Sequence, residues 1–134
     1  MRTLTIAQMT LRLGFLIELV LGILFWTNVI NPDTSALVPV HMLIGIIVVL
    51  SLWTIGLAQG FMKGSSDFGL ALLTFIVGLA VIIVGLFQRQ WLTADSQHWI
   101  IEVIHLLLGL AAIGVGEMVA AIAKRRVKAA RAAA

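Results

Sequence analysis

The sequence predicts an all-α integral membrane protein, a four-helix up-down-up-down bundle, on three observations. Hydrophobic residues make up 61% of the 134-residue chain and charged ones 11%, with a mean hydropathy of +1.12. A soluble domain of this size cannot bury so much apolar surface. Four apolar runs, about 10–30, 36–61, 68–87 and 99–123, each reach the ~20 residues needed to cross hydrocarbon. The connections between them are short, which makes consecutive helices antiparallel neighbours. Residues 1–123 therefore form one four-helix membrane domain, followed by a basic tail over 124–134.

The first run carries Glu18 and ends in Thr27-Asn28-Val29-Ile30-Asn31-Pro32-Asp33, without a small-x-small cleavage site. It reads as a retained helix rather than a signal peptide. Asn31-Pro32-Asp33-Thr34-Ser35 is a turn, and Pro39 sits early in the second helix, where its missing N–H costs nothing. Lys63-Gly64-Ser65-Ser66-Asp67 separates helices two and three, with Ser66 or Asp67 as the N-cap. Thr93-Ala94-Asp95-Ser96 does the same before helix four.

Four spans put Arg2, Arg12, Lys63, Lys124, Arg125, Arg126, Lys128 and Arg131 on one side and only Arg89 on the other. The positive-inside rule then predicts a multi-pass protein of the cell (inner) membrane with both termini cytoplasmic. Trp26, Trp91 and Trp99 fall at the opposite interface as an aromatic belt. The pI near 10.2 reflects cations beside apolar segments. They read as topology signals, with the tail against anionic head groups, and not as a nucleic-acid surface. With no cysteine in the chain, disulfides, thiolate metal sites and thioether-linked haem are excluded.

Two stretches repeat one pattern. His41-Met42-Leu43-Ile44-Gly45 and His105-Leu106-Leu107-Leu108-Gly109 both read His-x-Leu-x-Gly. Histidine inside hydrocarbon is costly, so its default reading is functional. Helices two and four start on the same side, and the two histidines enter about 7 and 9 Å from that end at 1.5 Å per residue. At 100° per residue Gly45 lies near His41 and Gly109 near His105, while Gly22 on helix one and Gly85 on helix three belong to similar stripes of small residues. Such stripes serve close helix packing, or they clear room for a flat macrocycle. An offset of 64 superposes His41 on His105 and Gly45 on Gly109, with Gly22 and Gly85 out of step by one, a weak two-helix duplication.

Two imidazoles on facing helices suit the axial positions of haem iron in a bundle core. A hydrogen-bonded or proton-relaying pair and a non-haem metal site are the other readings. His98 is an interfacial side chain, a haem propionate contact or an alternative ligand. Arg89 and Gln90, on the same side, suit propionates. Glu102, three residues before His105, lies about 60° round the helix, placed to orient a ligand or carry protons, which makes it the candidate catalytic group. Glu18 in mid-membrane must be neutral, paired or in a water-lined site. Arg12 and Glu117 suit a structural ion pair.

With these residues the chain resembles the four-helix haem unit of membrane b-type cytochromes, and more specifically one half of a haem A synthase. Glu102-Val103-Ile104-His105 is similar to that family's Glu-x-x-His-Arg motif, with Leu106 in place of the arginine, and His41 to Gly45 with Trp53 beyond is similar to the partnering histidine helix. The resemblance implies haem b (iron) held by His41 and His105, and one-electron transfer between a donor such as a quinol and an acceptor. It equally allows a haem-modifying enzyme with Glu102 in catalysis. A haemless subunit of a larger complex is the non-catalytic alternative, and a single narrow bundle favours homo-oligomers.

Overall fold

The computed structural model describes residues 2–62, 68–92 and 97–132. Four α-helices follow in order: α1 (Arg2–Trp26), α2 (Leu37–Gly60), α3 (Phe68–Phe87) and α4 (His98–Ala132), with a short 3-10 turn at Gln88–Gln90. Their lengths of 25, 24, 20 and 35 residues correspond to about 37, 36, 30 and 52 Å at 1.5 Å per residue. Each is long and apolar enough to cross a membrane.

The helix ends differ from expectation in three places, each with a local cause. α1 starts at Arg2 rather than near Thr10 because Leu4 and Ala7 join the buried cluster with Ala120 and Ala123 of α4. It stops at Trp26 rather than Ile30 because Asn28 takes the left-handed conformation (φ 55°) and the Ile30 N–H donates back to the Leu24 carbonyl at 3.1 Å. α4 continues unbroken through the tail to Ala132, since alanine, lysine and arginine are all strong helix formers. The Asn31 to Ser35 turn forms as expected: Asn31 Oδ1 accepts from the Asp33 N–H, and Ser35 Oγ from the Leu37 N–H. Pro39 is the third residue of α2. The Ser66 or Asp67 cap and the turn at 93–96 lie outside the described residues.

Side-chain contacts give the topology. Moving up α1, Gln8 and Arg12 meet Glu117 and Phe15 reaches Gly109, so α1 and α4 are antiparallel. The contacts of Gly14 with Val48 and of Gly45 with Glu18 make α1 and α2 antiparallel. Gly56 against Thr74, followed by Gly78 against Trp53, does the same for α2 and α3. Around the bundle the order is α1, α2, α3, α4, with α2 and α4 also touching across the diagonal while α1 and α3 do not. That short diagonal runs parallel, since His41 meets His105 and Leu52 meets Gly116.

Packing is uneven along the bundle. Leu4, Leu11, Val48, Leu52, Ile55, Ala112, Val119, Ala120 and Ala123 form a dense core toward the end that carries both termini. A polar clasp closes that end: Arg12 donates to both Glu117 oxygens at 2.7 and 2.6 Å, Gln8 Nε2 donates to Glu117 Oε2 at 2.7 Å, and Lys124 donates to Gln8. The expected Arg12–Glu117 pair therefore forms. The other end, near the α2 and α4 starts, contributes only Ile101 to the buried hydrophobic residues among those described. Outward faces are lined by large apolar side chains such as Leu13, Ile17, Leu43, Leu72, Ile76 and Leu107, the surface expected of a lipid-facing bundle. Trp26, Trp91 and Trp99 lie together at the loop end, each more than a third exposed.

Gly116 marks the tightest α1–α4 approach, because a Cβ there would overlap the Leu11 Cδ2 methyl and stand 3.3 Å from Leu52 Cδ1. Gly116→Ala is expected to lower stability by about 1–3 kcal/mol through overpacking, and pairing it with Leu11→Ala is expected to cost less than the sum of the two single changes. Thermal unfolding of the wild type and these three variants in detergent measures that coupling.

Candidate functional site

The parallel diagonal brings His41 and His105 together at the loosely packed end. Their ring centroids are 6.3 Å apart with planes inclined at 65°. His41 is in the second turn of α2 and His105 lies two turns into α4. Because both helices start on one side, both imidazoles reach the bundle interior at similar depth.

Around this pair the neighbouring helices supply small residues and one acid. From α1, Glu18 Oε2 comes within 2.8 Å of His41 Nδ1, and the two side chains keep only 15% and 16% of their surface exposed. Nδ1 of His41 and Oε1 of Glu18 are nonetheless buried without a hydrogen bond. Neither of these two atoms has another hydrogen-bond partner among the described residues, and unpaired polar atoms are costly in hydrocarbon. Phe25, one turn nearer the α1 end than Gly22, presents a T-shaped contact to His41 at 5.6 Å. Nδ1 of His105 is buried and also has no hydrogen-bond partner.

The four expected glycines split into two kinds. A Cβ on Gly85 of α3 would stand 3.0 Å from His105 Cε1, and one on Gly45 would stand 3.4 Å from Glu18 Oε2. These two glycines are therefore the surfaces against which the polar side chains rest. Gly109 is looser, with Phe15 Cε2 at 3.7 Å from its would-be Cβ, and Gly22 has nothing within 4 Å. Close packing accounts for Gly85 and Gly45 but not for Gly22.

The remaining expected residues lie around the rim. His98 is the first residue of α4, half-buried at the loop end. Arg89 is in the 3-10 turn and forms an exposed ion pair with Asp33 of the α1–α2 turn. Gln90 is exposed in the same turn. Glu102 is half-buried, three residues before His105 on the same helix. Trp53 faces α3: it stacks on Phe75 at 4.9 Å and fits against Gly78.

The residue least foreseen in its role is Glu18. Its mid-helix position signals that it must be paired, but its partner depends on α1 running antiparallel beside α2, which no local pattern states. Among the described residues no three His, Cys, Asp or Glu side chains converge to hold a metal ion by themselves. No family model, curated protein or solved structure matches the chain.

Gly85→Ala is expected to push the His105 ring from its seat and to cost about 1 kcal/mol or more as overpacking. Gly22→Ala, entering open space, is expected to change stability by no more than about 0.5 kcal/mol. Detergent melts, with ring-proton NMR shifts of His105 as the local reporter, separate the two.

Proposed function

We propose that the chain is a haem b binding membrane cytochrome that passes single electrons, with His41 and His105 as axial ligands. The observation that carries this reading is the 6.3 Å separation of the two ring centroids. Two imidazoles on opposite sides of one metal, each with a metal–nitrogen bond of about 2.0 Å, stand roughly 6 Å apart between ring centres. The unpartnered Nδ1 of His105 and the open space beside Gly22 agree with a site that has further bonds and volume to fill. Two protein ligands are too few for a free metal ion but enough where a macrocycle supplies the other four donors.

Haem, when bound, supplies the one-electron chemistry. The protein's part is to hold the imidazoles, to keep water away with the apolar side chains around them, and to set the potential by burial and nearby charge. Gly85 keeps side-chain bulk off the His105 ring, and Gly45 makes room for the Glu18 carboxyl group beside His41. In this reading the internal resemblance of the two histidine stretches reflects a two-helix duplication with the metal on its pseudo-axis. The excess of Lys and Arg on the terminal end sets both termini in the cytoplasm of a cell whose inner membrane holds the protein. The haem then lies toward the outer leaflet, between a membrane donor such as a quinol and an acceptor outside, in a single bundle or a homo-oligomer.

One contact favours a second reading. The 2.8 Å approach of Glu18 to His41 also suits a cofactor-free polar relay, in which acid and imidazoles satisfy one another in hydrocarbon.

Absorption spectra of the detergent-purified protein, oxidised and dithionite-reduced, with pyridine extraction of the pigment, decide between them. Wild type is expected to give a sharp low-spin b-type spectrum, lost or turned high-spin in both His41→Ala and His105→Ala. A modified haem in the extract would point instead to a haem-modifying enzyme, with Glu102 as its first suspect. A protein that stays colourless after incubation with haem leaves the relay or a subunit role. Gly22→Leu is expected to weaken haem uptake at least tenfold, about 1.4 kcal/mol, while the haem-free fold stays intact.

A further inference from the structure

The two histidines are held differently, and the difference lies outside the His-x-Leu-x-Gly pattern that makes them look equivalent. His41 has an acid from a neighbouring helix 2.8 Å from Nδ1, and an aromatic edge, Phe25, against its ring. His105 has neither. The His105 ring lies against the bare backbone of Gly85. Both imidazoles have a buried Nδ1 without a hydrogen bond, but a carboxylate oxygen stands 2.8 Å from that of His41, whereas Glu102, the acid nearest His105 in sequence, lies about 60° away round the same helix. An imidazole fixed through Nδ1 keeps its ring orientation and presents Nε2 as a stronger donor, whereas one without such a partner turns and leaves more readily.

From this asymmetry we propose that Glu18 is a positioning residue that fixes His41 as the permanent axial ligand and leaves His105 as the exchangeable one. The site then takes a small neutral diatomic ligand on the His105 side. This rests on the haem reading above and deepens it. Glu18 acts through the His41 Nδ1–H, holding the tautomer in which Nε2 is free. Gly45 is part of the device, since its missing side chain is what lets the carboxyl group lie against α2, 3.4 Å from where a Cβ would stand. On the other ligand, the His105 ring rests against Gly85 of α3 with no hydrogen bond at Nδ1, so none has to break for it to turn away.

Two measurements test the proposal. The first uses haem-free protein labelled with 15N-histidine. In wild type the His41 ring is expected to be protonated at Nδ1, with a downfield, exchange-protected N–H resonance. That resonance is expected to persist in Glu18→Gln, whose amide oxygen still accepts, and to vanish in Glu18→Ala. An Nε2-protonated His41 in wild type, or a tautomer unchanged in Glu18→Ala, overturns the positioning role. The second uses haem-loaded, dithionite-reduced protein with carbon monoxide as the probe. The wild-type adduct is expected to match that of His105→Ala and to differ from that of His41→Ala. Haem affinity is expected to fall about 10- to 100-fold in Glu18→Ala and to stay within about threefold in Glu18→Gln. Failure of reduced wild type to bind carbon monoxide, or an adduct matching His41→Ala, overturns the exchangeable role of His105. A wild-type chain that takes up no haem overturns the cytochrome reading and ligand exchange together, while the Glu18–His41 pairing is still decided by the first measurement.

Discussion

Hydrocarbon cannot hydrogen-bond, and that constraint governs the structure at every scale. It makes each spanning segment a helix, because only a helix satisfies its backbone from within. It then demands a partner for every polar side chain that enters the span. Arg12, Gln8, Glu117 and Lys124 meet the demand collectively at the terminal end, in one clasp between α1 and α4. Glu18 and His41 meet it in part at the other end by approaching each other across the α1–α2 interface. Ser51, Thr54 and Thr74 meet it locally, by donating to backbone carbonyls in the preceding turn.

The two ends of the bundle are built to different purposes. Toward the termini, alanines and glycines of α4 let α1 and α2 approach closely, and Leu11, Leu52, Ile55 and Val119 fill the space between them. Since lipid tails are as apolar as leucine, this closeness draws its stability from van der Waals contact and not from water exclusion. Toward the loops the same helices carry aromatic and polar groups in looser surroundings. The α2–α4 diagonal links the two, because the contact of Leu52 with Gly116 sets the separation at which His41 and His105 face each other.

In the haem reading, the geometry divides labour among four helices. α2 and α4 supply the imidazoles, α3 supplies the bare backbone of Gly85, and α1 supplies the acid. The outer rim, with Trp26, Trp91 and Trp99 and the Arg89–Asp33 pair, is fit for the headgroup region, where aromatic rings and charges are both tolerated. An ion pair so exposed contributes little to stability. Its effect is to tie the α1–α2 turn to the end of α3 and so cap the open half of the bundle.

The spans, their antiparallel order and the Arg12–Glu117 pair were legible in the sequence because hydropathy, loop length and the cost of buried charge are local or nearly local quantities. The repeated His-x-Leu-x-Gly pattern marked His41 and His105, and helix direction alone brought them to one side. Helix ends were less legible: α1 begins ahead of its apolar run because Leu4 and Ala7 bury against Ala120 and Ala123 of α4, a gain that hydropathy along one chain does not register, and α4 runs on through the tail because alanine, lysine and arginine favour the helix. The tertiary structure alone decided that α2 and α4, and not α1 and α3, form the short diagonal, that Glu18 falls beside His41, that Gly85 underlies His105, and that Gly22 borders open space. The physical reason is that a helix carries its periodicity in its own sequence, whereas its rotation and its choice of neighbours are settled by how all four surfaces fit at once.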